Sequence, residues 1–307
     1  MASRTDLSFY FATLFIFPFF VVAVAAQVVS PRLVSGGDFI AFLNRRFVTA
    51  NLPGAGAKHF DCDFDKDPLA ARVLAEYGSM FAAADSVALP RKCIFVNSQE
   101  VADFQKTLKT RSADFAGARV ELQTSALDTL EQARIDAEAE GLRISPFDPR
   151  VASRRDYNDS VRIWNKRMYP ALEHWVGLDV ISAEESFRVR NVPLIDQARV
   201  VLEWESRGYR FGTGRARSIF SSCSPPGASQ HLSLIALDVN EYGDHRVRQI
   251  LNRHGWYQTV VDDPGHFTFL GVPETELPAR GLKLVPAGGF AYWVPDIRPK
   301  TSVQRPS

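Results

Sequence analysis

Short helical stretches interleaved with short apolar runs predict an α+β fold, a small and mainly antiparallel sheet flanked by helices. Two features of the chain carry that expectation. Apolar residues recur at helical spacing in several separate segments, and the brief apolar runs between them are bounded by Gly, Pro, Asn or Asp. No internal repeat marks a solenoid or a regular βα barrel. The 307 residues are 46% hydrophobic and 23% charged, a balance that excludes wholesale disorder.

The first segment reads as an address. Phe9 to Ala26 is apolar apart from Thr13 and interrupted by Pro18, with Arg4 before it and a small-x-small site at Ala23-Val24-Ala25. Residues 1–26 are therefore expected to be a signal peptide, with an uncleaved N-terminal anchor as the alternative. Both place the remainder outside the cytoplasm, exported and touching membrane only through that segment.

Residues 28–119 form an unassigned, mainly helical region. Phe39 to Phe47 is a helical candidate, followed by a Gly/Pro loop at Leu52-Pro53-Gly54-Ala55-Gly56. Ala70 to Phe81 puts Val73, Leu74, Tyr77 and Phe81 on one face. Cys93 to Val96 reads as a short strand, and Asn97 or Ser98 can cap a helix over Glu100–Leu108. An exported setting permits disulfides. With three cysteines at most one bridge forms, and Cys62–Cys93 is the pair to test against three free thiols.

Residues 120–297 read as the second unit, with an insertion near 166–228. Ala126 to Glu140 is the clearest helix, with Leu127, Leu130, Ala133 and Ala137 in its stripe and Gly141 as its stop. Leu142 to Ser145 is a strand candidate. Val161 to Trp175 is an amphipathic helix with Ile163, Met168 and Leu172 inward, and Pro170 is expected to bend or split it. Beyond the loop Ser221–Ser229 come an apolar run from Leu232 to Val239, a helix Arg246–Arg253 and a buried strand Phe267–Leu270. Residues 298–307 are a solvated tail.

The chemistry concentrates between His231 and His266. Ser229-Gln230-His231 leads into a run ending in Asp238, and Asp262-Asp263-Pro264-Gly265-His266 opens another strand. Two histidines and an aspartate at strand edges make a three-ligand set for Zn²⁺ with a position left open. Asp263 stands where a general base would be wanted, with Asp262 beside it. On spacing alone, packed core histidines are the competing reading.

The pattern Ser229-x-His231…Ala236-x-Asp238, followed by an acid three residues before His266, resembles the zinc D-Ala-D-Ala carboxypeptidase and L-alanyl-D-glutamate endopeptidase family. That resemblance implies a hedgehog/DD-peptidase-like core, His231, Asp238 and His266 as zinc ligands, Asp263 as base and the peptidoglycan peptide stem as substrate. It also implies a substrate-binding arginine. Arg155, after the helix–Gly–strand unit, is the first match, and Arg210 in Gly208-Tyr209-Arg210-Phe211 is the rival. The chain departs from the family in three places. Leu234 occupies a glycine position, so the path from His231 to Asp238 should differ if leucine avoids the left-handed region. Asp263 replaces glutamate, and Gly265 replaces a tryptophan that walls the pocket. The expected activity is an exported zinc metallopeptidase. The alternative is a catalytically inactive wall-binding or zinc-stabilised protein on the same fold.

Other chemistries find little support. Net charge is +1, from 36 basic and 35 acidic residues, so no basic excess grips nucleic acid. Gly212-Thr213-Gly214 lacks the third glycine of a phosphate loop, and Ser222 and Ser224 lack a nucleophile elbow. His254 reads as a helix end, with a supporting role at the metal as the sharper alternative.

Overall fold

The computed structural model describes residues 39–48, 60–213, 218–221 and 223–297. The expected export segment, the loop Leu52–Gly56, the tail 298–307, Gly214 and Ser222 lie outside the described residues. The expected α+β class is observed, as helices around small antiparallel sheets.

The N-terminal region holds α1 (Phe39–Val48), α2 (Pro68–Tyr77) and α3 (Ser98–Lys106). α2 starts where Pro68, which lacks an N–H, follows Asp67, whose carboxylate accepts from Leu69 N–H. α3 is capped by Asn97, which accepts from Glu100 N–H. Cys62 and Cys93 are joined in a disulfide, and Cys223 is free.

A hairpin of β1 (Thr110–Phe115) and β2 (Ala118–Gln123) leads into α4 (Thr124–Ala139), whose buried stripe is the one the periodicity predicts. Then follow α5 (Tyr157–Gly177), α6 (Ala183–Asn191) and α7 (Leu194–Ser206). The C-terminal part contains β3 (Ala236–Asp238), α8 (His245–Arg253), β4 (Trp256–Gln258), β5 (His266–Phe269) and the hairpin β6 (Leu282–Ala287) with β7 (Phe290–Pro295). β5 is the centre of an antiparallel sheet ordered β3-β5-β4. One apolar core runs from Phe39 to Trp293 and takes in Leu74, Leu127, Trp164, Trp204 and Phe267. α1, α2 and β1 thus pack into the same core as the rest, through Phe39, Leu43, Leu69, Leu74 and Phe115, while Phe95 and Val101 form a small separate cluster with Leu232. No described helix is long and apolar enough to cross a membrane.

Several local expectations differ from the structure. Cys93–Val96 and Leu142–Ser145 form no strands; the isolated bridges beside them, Asp61 with Lys92 and Pro146 with Val239, involve the residues just outside each run. Neither run has a partner strand of matching length, so no ladder forms. Pro170 does not split α5, which runs unbroken over 21 residues. That proline lies on the exposed face, where water can take the carbonyl it leaves without a donor. Ile163 is only half-buried; Trp164, Met168 and Leu172 carry the inward stripe.

The loop before the apolar run is seated by the N-terminal region. Phe95 N–H donates to Gly227 O at 2.9 Å, and a Cβ at Gly227 would lie 1.9 Å from Phe95 O. Gly227 also has φ +86°, a region costly for any side chain. Gly227→Ala should therefore lower stability by about 3 kcal/mol or more in denaturant unfolding, through clash and backbone strain together. A loss below about 1 kcal/mol would mean that the Phe95 segment is not held against this loop.

Candidate metal centre

Asp238 ends β3 and stands directly opposite His266, the first residue of β5. Opposed residues of an antiparallel pair project to the same face, so the register alone brings these two side chains together. His231 arrives from the preceding one-turn 3-10 helix, Gln230–Ser233. Leu234 then turns the chain into β3 with φ +54° and ψ +39°. The expectation that leucine would avoid the left-handed region here is thus not met. Leucine takes the left-handed conformation itself, at a cost of order 1 kcal/mol. Its side chain is buried, which offsets that cost.

The three expected ligands converge. His231 Nε2, His266 Nδ1 and Asp238 Oδ1 form a triangle with sides of 3.1, 3.1 and 3.2 Å. For bonds of about 2.0–2.1 Å, ligand atoms sit about 2.9 Å apart at octahedral angles and about 3.3 Å apart at tetrahedral ones. The observed triangle lies between these values, so one ion bound by all three atoms needs little movement of the side chains.

The protons on both imidazoles are dictated from outside. His231 Nδ1 lies 2.8 Å from the carbonyl of Ser153, which can only accept, so this nitrogen carries the hydrogen and Nε2 is bare. His266 Nε2 lies 2.8 Å from Gln230 Oε1. The Gln230 amide cannot be turned round, because its nitrogen donates to Tyr77 O at 2.8 Å. Its oxygen also accepts from the hydroxyls of Thr259 and Thr268. His266 must therefore donate from Nε2 and present Nδ1 bare. Three lone pairs then face one another in a buried site with no hydrogen between them, an arrangement that a cation resolves.

Electrostatics agree with a neutral His231 beside an ionised carboxylate. Burial, reinforced by Arg155, pushes His231 down to about 4. Burial alone would raise Asp238, but its two histidine neighbours and the Arg155 guanidinium bonded to Oδ2 hold it well below the usual carboxylate range. Arg155 donates through a terminal nitrogen to Asp238 Oδ2 at 2.5 Å and through Nε to Val151 O at 2.8 Å. The strap carrying Ser153 and Arg155 is bound to the edge of β3, with Phe147 N–H on Asp238 O and Asp238 N–H on Ala152 O, both at 2.8 Å.

The triad opens into a cavity of about 340 Å³ that Asp263, Arg155, Tyr242 and the pocket face of α5 also line. Asp263 is raised above an ordinary carboxyl by burial, with the Asp238 charge adding to it against His266, Arg155 and Arg167. Tyr242 packs beside Gly265, its ring 3.5 Å from where a Cβ would be, and supplies an aromatic wall where the sequence lacks the expected tryptophan. Arg210 is exposed on the loop after α7 and does not line this cavity. His254 pairs with Asp136 at 2.8 Å, also outside the cavity, so its supporting role at the metal is not realised. Sequence reasoning missed Gln230 as the residue that fixes His266. Its place beside His231 is the one available hint; the carbonyls of Ser153 and Tyr77 leave no trace in side-chain identity.

Two outcomes follow from this geometry. Gln230→Leu should keep the fold and weaken metal binding about 10–100-fold in chelator competition, because His266 loses its outer partner. In metal-free protein His231 takes up its proton near pH 4 when folded but at 6.5 when unfolded. Stability should therefore fall as pH drops through that window, by about 3 kcal/mol in total, as read from denaturant midpoints. Comparison of the chain with protein-family models, with curated proteins and with solved structures yields no match.

Proposed function

We propose that the protein is an exported zinc metallopeptidase acting on the peptide stem of peptidoglycan. The observation that carries the metal part is the inward-facing set of three lone pairs, whose protonation is fixed by Ser153 O and Gln230. Two imidazoles and one carboxylate suit Zn²⁺, and three protein ligands leave a position free, as hydrolytic zinc sites do. The peptidase part is supported by the resemblance at Ser229, His231, Ala236, Asp238 and His266. It is supported further by Leu234, which adopts the backbone conformation a glycine would take at that place.

His231, Asp238 and His266 would hold the ion, and Zn²⁺ in that position would supply Lewis acidity at a peptide carbonyl. The remaining steps belong to the chain. Asp263, on the cavity wall and raised by burial, accepts the proton of the attacking water and returns it to the leaving amine. A carboxylate raised toward neutrality matches that task better than an ordinary one. Tyr242 and Val260 shelter the cavity, and Arg155 keeps Asp238 ionised and turned so that Oδ1 faces the histidines.

Metal analysis of the purified full chain, followed by digestion of peptidoglycan with mass readout, tests this reading. Zinc at one equivalent and new stem-peptide termini are expected. Asp263→Asn should keep zinc and lower turnover by about 100-fold or more, while Asp263→Glu should retain it. Iron in preference to zinc under competition would overturn the zinc assignment. Zinc without cleavage of any wall peptide would favour the inactive, zinc-stabilised protein.

A further inference from the structure

The guanidinium that the sequence pattern offers for a substrate carboxylate is already engaged. Arg155 spends one terminal nitrogen on Asp238 and its Nε on Val151 O. Turning it to an incoming anion would release Asp238 Oδ2 in a largely buried site, which costs more than a surface contact returns. The cavity nevertheless keeps other positive charge. Arg162, Lys166 and Arg167 line it from α5, on the helix face that also presents Ser160 and Ile163. Arg162 is paired with Asp159 at 2.9 Å. Among the described residues neither Lys166 nor Arg167 has an ion-pair partner, and Arg167 lines the same cavity as Asp263 and Cys223. The lining as a whole carries four basic side chains against three carboxylates (Asp148, Asp238 and Asp263), an excess that a divalent ion at the triad would enlarge.

We propose that Arg167, with Lys166 beside it on α5, binds a carboxylate of the ligand, while Arg155 is a positioning residue for Asp238. The occupant of the cavity is thus a peptide-like acid whose anionic group sits on the α5 side while its scissile region faces the triad. Guanidinium and ammonium differ in what they add. Arg167 supplies a planar fork for bidentate contact, and Lys166 a mobile point charge. This assignment deepens the metallopeptidase reading and rests on its metal centre.

Cobalt(II)-loaded full-length protein titrated with 3-mercaptopropionate and with 3-mercaptopropionamide separates the two. The thiolate-to-cobalt absorption band reports engagement of the metal. The ratio of the two dissociation constants reports recognition of the carboxylate. The acid should bind about 10-fold or more tightly than the amide. Arg167→Gln should bring that ratio to within about threefold, Lys166→Gln should lower it less, and in both the band should persist. Arg155→Gln should instead weaken cobalt binding while leaving the ratio for loaded protein unchanged. Both α5 residues are exposed on the helix, so their replacement leaves the core untouched. Absence of the band in wild-type protein would overturn the metal centre and this assignment with it. A band with no preference for the acid, or a preference lost in Arg155→Gln and kept in Arg167→Gln, would overturn the assignment alone.

Discussion

Everything at the candidate site depends on where two imidazole hydrogens are held. Ser153 O takes one and Gln230 Oε1 the other, and both acceptors are themselves fixed, the first as a backbone carbonyl and the second by its bond to Tyr77 O. A tautomer change at either ring would place an N–H inside the triangle and make the cluster an ordinary hydrogen-bonded trio. The outer contacts thereby decide between a packed core and a cation site. The same residue types at the same spacing are compatible with either.

Holding those acceptors in place requires parts of the chain that are distant in sequence. Tyr77 closes α2, and its hydroxyl donates to Phe220 O, which ties the helix to the segment before the 3-10 turn. Ser153 belongs to a strap whose main chain is bonded to the edge of β3. The Cys62–Cys93 bridge and the bond from Phe95 to Gly227 bring a further N-terminal segment against the loop that leads to His231. The centre is small, but the scaffold that orients it spans most of the described chain.

Residues whose chemistry is local are legible in the sequence. The stripe of α4 and the cap at Asn97 follow from residue type and spacing. Cys62–Cys93 is one of two readings that three cysteines allow, and the set His231, Asp238 and His266 is singled out by the family resemblance, since spacing alone leaves packed core histidines open. Strands are less legible. β1 is polar and largely exposed or half-buried until Phe115, and β2 alternates buried Ala118, Val120 and Leu122 with Arg119 and Glu121 over only six residues. β4 spans only Trp256–Gln258, too short for a periodicity to register. Leu142–Ser145 has strand-like letters, yet only Pro146 finds a bridging partner. Leu234 shows the limit from the other side. Its propensity argues against the left-handed conformation, and tertiary burial overrides it. The role of Arg155 depends on which carboxylate lies beside it, a fact of tertiary structure that no local pattern contains.

The bond from Gln230 to Tyr77 also bears on how the chain can be divided. A boundary near residue 120 is where the family resemblance begins, with His231, Asp238, Asp263 and His266 all on its C-terminal side. Cutting there would remove the carbonyl that orients the Gln230 amide, and with it the reason for His266 to keep its hydrogen on Nε2. The C-terminal portion is therefore no self-sufficient module. Among the described residues the N-terminal region contributes no ligand and no cavity wall beyond Tyr77, yet it carries the information that tells an imidazole which nitrogen to offer.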